Sequence, residues 1–131
     1  MFTFVVTCYN QAEVVTHALE SIRYQICRFG KDQKFQLIVA DDGSEDSSCE
    51  VIEQWITGNR DIFERVDKLF REKNAGICKN YAEALRIVKG DRFVVLNGDD
   101  LFSPYNLFGV TDLLDEYDIV CTAFIKFTGS G

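Results

Sequence analysis

Short apolar runs alternate along this chain with segments in which apolar residues recur every three to four positions. A uniformly apolar run predicts a strand buried on both faces, and the three- to four-residue spacing predicts an amphipathic helix. Five runs are predicted to be strands, at residues 2–8, 35–40, 68–72, 92–97 and 118–127. This alternation predicts an α/β fold with a mainly parallel sheet and helices on both of its faces.

Four helices are predicted from their start signals or their apolar period. A helix often begins with Asn or Ser followed three residues later by Glu, or with Ser followed directly by Pro, and it often ends at Gly. The signals are Asn10 with Glu13, Ser47 with Glu50, the apolar period of residues 77–89 ended by Gly90, and Ser103 with Pro104.

Polar residues follow three of the predicted strands at the point where each strand ends. They are Thr7 to Asn10 after the first strand, Asp41 and Asp42 after the second, and Gly98 to Asp100 after the strand at 92–97. In open α/β sheets, ligands bind beyond the carboxyl ends of the strands. Two acidic pairs that are far apart in sequence are therefore predicted to share one edge of the sheet.

Each acidic pair alone has a purely structural explanation, because Asp, Gly and Ser form turns and acids stabilise helix N-termini. Both pairs at one edge favour a functional acidic site instead. Mg²⁺ is usually held by one or two carboxylates together with the phosphates of its substrate. Neither loop contains Cys or His, which disfavours zinc.

The size and charge of the chain limit the possible partners. Its 131 residues predict a single domain, spanning 1–131, with a proper hydrophobic core. The net charge of −7 argues against nucleic acid, because phosphate backbones are bound by clustered Lys and Arg. If the chain binds an anion, a metal ion, a helix N-terminus or a few placed cations must offset its own charge.

The five cysteines are odd in number and never have C-x-x-C spacing, which disfavours a disulfide framework. Free thiols in a reducing cytoplasm are the preferred interpretation. No apolar run approaches the roughly 20 residues of a membrane helix, and the N-terminus lacks the features of a signal peptide. We expect a cytoplasmic location with no membrane span in this chain, and membrane association through other parts of a full-length protein is left open.

Three common nucleotide or nucleophile motifs are absent. The chain has no G-x-x-x-x-G-K-[ST], and no G-x-G-x-x-G follows its first strand. It also lacks the G-x-S-x-G nucleophile turn.

Three segments together resemble the inverting glycosyltransferases of family two, which have the GT-A fold. They are FVVTCYNQAEVVTHALESIRYQ at 4–25, FQLIVADDGSEDSS at 35–48 and REKNAGICKNYAEALRIVKGDRFVVLNGDD at 71–100. The NAGICKNYAEA piece is similar to rhamnosyltransferase-like members. The resemblance implies transfer of a sugar, with inversion, from a nucleotide-diphosphate sugar to a saccharide or lipid-linked acceptor, as in polysaccharide biosynthesis.

The resemblance also implies which residues hold the nucleotide. Thr7 and Tyr9 match positions near the base and ribose. Asp41 and Asp42 match the acidic pair that holds the base and its ribose, and Lys79 falls near a basic position that contacts the nucleotide.

Asp99 and Asp100 match the end of the family's D-x-D motif. The resemblance implies that Asp99 contacts the nucleotide and that both residues bind the Mg²⁺ or Mn²⁺ that bridges the diphosphate. The cation would act as a Lewis acid that stabilises the departing nucleoside diphosphate.

The chain departs from the family pattern in two places. Asn97 stands at the first position of D-x-D, where it could accept a hydrogen bond but carries no charge. Only 31 residues follow Asp100, whereas the family's acceptor region and catalytic base come well after D-x-D. The base is therefore expected outside this chain, and the acidic residues of the tail are interpreted as a solvated helix face and a strand start: Asp112, Asp115, Glu116 and Asp118.

Two alternative functions remain open at this point. A receiver-type phosphoacceptor domain is also doubly wound, but it carries its acidic pair after the first strand, where this chain has Cys8, Tyr9 and Asn10. It also needs a Lys after its fifth strand, for which Lys126 is the candidate. The second alternative is a module that binds the nucleotide without transferring a sugar.

Overall fold

A computed structural model describes residues 1–122 and 125–126 of the chain. Four strands and three α-helices alternate along it. In chain order these elements are β1 (Phe2–Cys8), α1 (Val15–Phe29), β2 (Phe35–Asp41), α2 (Ser48–Asn59), β3 (Arg65–Phe70), α3 (Ile77–Arg86) and β4 (Arg92–Asn97). Two 3₁₀ helices, Arg60–Ile62 and Leu107–Asp115, precede β3 and follow β4.

The four strands form one parallel sheet in the order β3-β2-β1-β4. The register aligns their carboxyl ends, since Cys8 pairs with Asp41, Thr7 with Asn97, and Asp41 with Phe70. The predicted α/β fold with a parallel sheet is confirmed. The sheet brings the residues that follow β1, β2 and β4 to one edge, as predicted.

Helices cover both faces of the sheet, which explains why the central strands are uniformly apolar. Every residue of β1 and β2 is buried. Phe4 packs on one face in the main core, which contains residues of α1 and α2 such as Leu19 and Trp55. Val5 points to the opposite face and packs in a second cluster with Ala84 of α3. Successive residues of a strand alternate between faces, so both sets must be apolar.

The segment that follows the acidic pair at the end of β4 is attached to α1 by buried polar side chains. Ser21 Oγ accepts a hydrogen bond from the Phe102 backbone N–H at 3.1 Å. The fully buried Gln25 side chain donates to the carbonyls of Ser103 and Tyr105, at 2.7 and 2.8 Å, and accepts from the Leu107 N–H. These bonds satisfy the backbone of a segment without regular structure and hold it over the core.

Of the helix starts predicted near residues 10 and 47, the first is wrong and the second is correct in position, with Ser47 as the N-cap residue, but neither predicted side-chain cap forms. Helix α1 begins at Val15, and the side chain of Asn10 instead accepts from the Glu45 N–H at 2.8 Å. At α2, Ser47 makes no side-chain cap. The Asp46 carboxylate accepts from the Ser48 N–H at 2.9 Å and from the Ala12 N–H at 3.1 Å.

The predictions for the second half of the chain also need correction. Helix α3 ends at Arg86 rather than at 89, and Ser103 with Pro104 starts no helix. The 3₁₀ helix begins at Leu107, and the side chain of Asn106 caps it by accepting from the Phe108 N–H. Residues 118–122 and 125–126 of the predicted last strand are not extended into a sheet, and its remaining residues lie outside the described ranges.

No helix within the described ranges is long and apolar enough to cross a membrane.

Candidate functional site

A cleft of about 420 Å³ lies at the carboxyl edge of the sheet. Its walls come from the end of β1, from the loop after β2, from the segment that enters α3 and from the loop after β4. The polar residues that line it include Thr7, Asp42, Asn74, Asn80, Asn97 and Asp99. The cleft therefore gathers side chains from three strand ends, as the sequence pattern predicts.

Two exposed side chains, one aromatic and one aliphatic, provide apolar surface in this polar cleft. Tyr9 leaves 46% of its surface exposed and Ile77 leaves 63%. Exposed aromatic and apolar faces inside a polar cleft suit a planar ring, and amides and carboxylates around it can read the polar edge of that ring.

Asp42 is the acidic residue of the loop after β2 that reaches the cleft. It is only 4% exposed, and its carboxylate accepts hydrogen bonds from the backbone N–H groups of Ala75 at 2.9 Å and Gly76 at 3.0 Å. Gly76 has a φ of +94°, a conformation that an L side chain rarely adopts. Asp42 thus fixes the backbone that leads into α3 and forms one wall of the cleft.

Arg71, just after β3, supplies the positive charge that this buried carboxylate needs. Its Nε lies 3.4 Å from Asp42 Oδ1, and its guanidinium also pairs with Glu83 of α3. The Arg71 Nε is buried and makes no hydrogen bond that meets standard geometry, so its contact with Asp42 is electrostatic. Arg71 carries no sequence signal that would mark it as part of the site, because an Arg at a strand end is common on protein surfaces.

Asp41 differs from its neighbour because it lies at the end of β2 and points away from the cleft. It is fully buried, and it accepts from the backbone N–H of Ser44 at 2.8 Å and from the Ser44 hydroxyl at 2.5 Å. Asp41 is absent from the cleft lining. Its contacts shape the turn that contains Gly43, whose φ is +79° and whose Cα is so close to Lys73 and Asn74 that a Cβ would not fit.

Thr7 and Asn97 lie side by side at the ends of β1 and β4 and line the cleft. Tyr81 of α3 and Thr7 both donate hydrogen bonds to the side-chain oxygen of Asn97. The structure thus brings Thr7 and Tyr9 to the cleft together with Asp42 and Asp99.

Asp99 lines the cleft and is exposed, whereas Asp100 is half-buried and lies next to it. Among the described residues, no group of three His, Cys, Asp or Glu side chains could hold a metal ion without further ligands. Asp100 itself does not line the cleft, and its Oδ2 lies 3.2 Å from Asn97 Nδ2. One or two carboxylates are nevertheless enough for Mg²⁺ or Mn²⁺ when a substrate supplies phosphate oxygens. The donor set therefore fits such a cation in the presence of a diphosphate.

Lys79 does not lie in the cleft, because it occupies an exposed position of α3. The next residue, Asn80, lines the cleft instead and donates to the carbonyl of Ala40 at 2.9 Å. The helical phase set by the start of α3 at Ile77 decides this difference. Asn74, Asn80 and Gln11 are cleft residues that sequence reasoning missed, since single amides carry no spacing signal.

A second cleft of about 410 Å³ lies beside the first one. Gln11 and Asp99 line both clefts, and Glu13 and Asp46 line the second one only. Asp99 therefore stands at the boundary between two neighbouring concave surfaces.

All five cysteines are free thiols in the structure, and two of them are unusual. Burial raises the pKa of the Cys8 thiol to about 12. Burial, with the carboxylate of Asp41 as a second cause, raises the pKa of Cys49 to about 12 as well. A raised pKa keeps a thiol protonated at neutral and mildly alkaline pH, and the thiolate is the reactive form.

We expect these two thiols to resist modification. At about pH 8, DTNB should modify Cys27, Cys78 and Cys121, which are exposed, and should leave Cys8 and Cys49 unmodified. All five should react in denaturant, which serves as the control. Rapid reaction of Cys8 in the folded chain would contradict the packing of the cleft floor.

Comparison with known proteins assigns a family to this fold and cleft. The model of the family described as glycosyl transferase family 2 matches residues 3–131. The teichoic acid poly(glycerol phosphate) polymerase of Staphylococcus epidermidis is 30% identical over 126 residues, which are 96% of this chain and 16% of that protein. The uncharacterized glycosyltransferase YfnE of Bacillus subtilis is 32% identical over 125 residues, which are 93% of this chain and 29% of that protein.

Solved structures agree with this family. S. aureus TarS in complex with UDP-GlcNAc superposes with a TM-score of 0.69 at 27% identity, over 89% of this chain and 32% of that one. The mannosyltransferase PcManGT from Pyrobaculum calidifontis, in complex with GDP-Man and Mn²⁺, shares the fold with a TM-score of 0.68 at 23% identity, over 80% of this chain and 29% of that one. Because the family model matches residues 3–131, the alternative of a receiver-type phosphoacceptor domain is excluded. The chain spans less than a third of the length of the curated relatives named above.

Proposed function

This chain belongs to glycosyl transferase family 2, and from that premise we propose that residues 1–131 form a single domain that binds the nucleotide-diphosphate sugar donor of an inverting glycosyltransferase. The observation that carries the proposal is the cleft at the carboxyl edge of the sheet, which is lined by Asp42, Asp99 and the exposed ring of Tyr9. The structures of TarS with UDP-GlcNAc and of PcManGT with GDP-Man, both similar to this chain, support a nucleotide-sugar ligand.

The nucleoside part of the donor fits the inner part of the cleft. Tyr9 offers a face for the base, and Thr7, Asp42 and Asn80 offer polar atoms for the base edge and the ribose. Asp41 acts on this part indirectly, through the turn that presents Asp42. Lys79 is exposed in the first turn of α3, from where its charge would attract the anionic donor over a longer distance.

The diphosphate fits the outer part of the cleft, beside Asp99 and Asp100. An acidic chain needs a cation there to hold an anion. Asp99 and Asp100 would hold Mg²⁺ or Mn²⁺ together with phosphate oxygens, and PcManGT with GDP-Man and Mn²⁺ supports this assignment. When bound, the cation supplies Lewis-acid stabilisation of the departing nucleoside diphosphate.

The described residues that follow Asp100 supply no candidate for the catalytic base that would deprotonate the acceptor hydroxyl. Asp115 pairs with Arg92, and Asp112, Glu116 and Asp118 are exposed outside both clefts.

The second cleft, across Asp99 from the first, is where a saccharide or lipid-linked acceptor would approach. The similarity to the teichoic acid poly(glycerol phosphate) polymerase of Staphylococcus epidermidis supports a role in polysaccharide biosynthesis, and five free thiols fit a reducing cytoplasm.

Amide chemical shifts will test where the nucleotide binds. With UDP and Mg²⁺ present, we expect the largest shifts at Thr7 to Gln11, at Asp42 and at Gly76 to Asn80. A trace of Mn²⁺ in place of Mg²⁺ should broaden the amides of Gly98 to Asp100, because the paramagnetic ion acts only over short distances. Uridine without phosphate is the control, and it should bind more weakly and without dependence on the metal. Shifts confined to the 3₁₀ helix Leu107–Asp115 would contradict the proposed site.

A further inference from the structure

Asn97, at the end of β4, connects helix α3 to the acidic pair through hydrogen bonds. We propose that Asn97 is a positioning residue that holds the Asp100 carboxylate toward the divalent cation, and that Tyr81 locks Asn97 in this orientation. The inference rests on the proposed function, since it concerns the cation of the donor complex. It assigns a role to Asn97, the uncharged residue that stands at the first position of the D-x-D motif in this chain.

The side-chain oxygen of Asn97 is occupied within the protein. The Tyr81 hydroxyl donates to it at 2.6 Å and the Thr7 hydroxyl donates to it at 3.1 Å. A carbonyl oxygen has two lone pairs, so it can accept from both. The Thr7 hydroxyl also lies 3.5 Å from the Tyr81 hydroxyl, so its single proton has two possible acceptors. These contacts within the protein make Asn97 a poorer acceptor for a ribose hydroxyl, a role that the sequence alone had left open.

The Asp100 carboxylate fixes which way the amide group of Asn97 faces. With the oxygen toward Tyr81 and Thr7, the amide nitrogen must face the opposite side, where Nδ2 lies 3.2 Å from Asp100 Oδ2. Rotation of the amide by half a turn would set its oxygen against the Asp100 carboxylate, which can only accept, whereas the two hydroxyl groups can donate or accept. The carboxylate therefore decides which way the amide faces, and the short hydrogen bond from Tyr81 holds the amide in this place.

The backbone around Asp100 is already rigid, so the side-chain torsions are its main remaining freedom. The Asp100 N–H donates to the Asn97 carbonyl at 3.0 Å, and the Gly98 N–H donates to the Thr7 carbonyl at 2.7 Å. A Cβ on Gly98 would lie 2.5 Å from the Gln11 side-chain oxygen, so the turn is closely packed. The amide of Asn97 restrains the carboxylate on this fixed turn, as partners behind metal ligands commonly do.

The charge of residue 97 matters for the same reason. An aspartate at this position would accept from Tyr81 and Thr7 equally well. It would lack the N–H that faces Asp100, and it would place a third negative charge beside Asp99 and Asp100, where like charges repel. Asparagine gives the same anchoring and attracts the Asp100 carboxylate.

The test is a double-mutant cycle between Tyr81→Phe and Asn97→Ala. Tyr81 does not line the cleft, and Phe keeps its ring. Mn²⁺ binding would be followed by the loss of the free Mn²⁺ electron paramagnetic resonance signal in the presence of UDP, and metal-free UDP binding by calorimetry. We expect Tyr81→Phe to weaken Mn²⁺ binding by about tenfold and to leave metal-free UDP binding unchanged.

The cycle separates a positioning role from a structural one. If Tyr81 acts through Asn97, then Tyr81→Phe has no further effect on Mn²⁺ binding in the Asn97→Ala background. Tyr24→Phe, at a partly exposed tyrosine of α1, is the matched control and should leave Mn²⁺ binding unchanged. Wild-type Mn²⁺ affinity in Tyr81→Phe, or additive effects in the double variant, would overturn this inference alone. Failure of the wild-type chain to bind UDP with Mn²⁺ would overturn the proposed function, and this inference with it.

Discussion

Asp42→Ala is expected to destabilise the chain by about 3–5 kcal/mol, the usual cost of removing one partner of a buried ion pair. The Asp42 carboxylate is almost completely buried, and it accepts from the N–H groups of Ala75 and Gly76 and lies against Arg71. Alanine leaves the two N–H groups without their acceptor. It also removes one of the two carboxylates that Arg71 contacts, so that only the contact with Glu83 remains. Urea unfolding, followed by the fluorescence of Trp55, measures the loss.

The same substitution should remove detectable nucleotide binding even under conditions where the variant remains folded, because the wall of the cleft between Asn74 and Gly76 is no longer fixed. Asp42→Asn separates charge from hydrogen bonding, since an amide oxygen can still accept from one N–H while Arg71 loses its counter-charge. We expect its stability to lie between the wild-type chain and Asp42→Ala. Asp112→Ala removes an exposed carboxylate and is the matched control. An Asp42→Ala variant as stable as this control would contradict the role given to Asp42.

Asp99→Ala combined with Asp100→Ala is expected to abolish the metal-dependent part of nucleotide affinity, a loss of about tenfold or more. Asp99 is exposed and Asp100 is half-buried, so the double variant should remain folded with nearly unchanged stability. Its affinity for UDP without metal should equal or exceed that of the wild-type chain, because two negative charges near the diphosphate are gone. Calorimetry with and without Mn²⁺ measures both quantities.

The control for this double variant is Asp112→Ala with Glu116→Ala, which removes the same charge from exposed positions outside the cleft. If Asp99 and Asp100 only form a turn, the test variant changes thermal stability and leaves the metal dependence of UDP binding intact. That result would refute the cation site but would leave the cleft as the proposed nucleotide-binding site.

The two central strands were predictable because burial on both faces leaves a direct mark on the sequence: β1 matches the predicted bounds 2–8, and β2 differs by one residue. The edge strands are less buried, and although β4 matches 92–97, β3 spans Arg65–Phe70 instead of the predicted 68–72. The helix starts were less predictable. α2 begins at Ser48, directly after the predicted Ser47, although Asp46 rather than Ser47 accepts from the Ser48 N–H, whereas α1 begins only at Val15. Asp46 also accepts from the Ala12 N–H in a different loop, and no local pattern reveals that contact.

The location of the site was predictable, but which of its residues line the cleft was not. Parallel strands must bring their carboxyl ends to one edge, so the two acidic pairs had to meet there. Asp41 and Asp42 are adjacent and identical in type. Because β2 ends at Asp41, that residue is buried against Ser44, whereas Asp42 lies in the loop and lines the cleft. The exclusion of Lys79 in favour of Asn80 depends in the same way on the phase of α3, which starts at Ile77.

Calorimetric titration of the wild-type chain with UDP, dTDP and GDP, each with and without Mn²⁺, measures directly whether this cleft binds a nucleotide. We expect at least one of these nucleotides to bind at a single site, and we expect Mn²⁺ to strengthen its binding. No binding of any of the three, with or without Mn²⁺, would contradict the assignment of this cleft as a donor site.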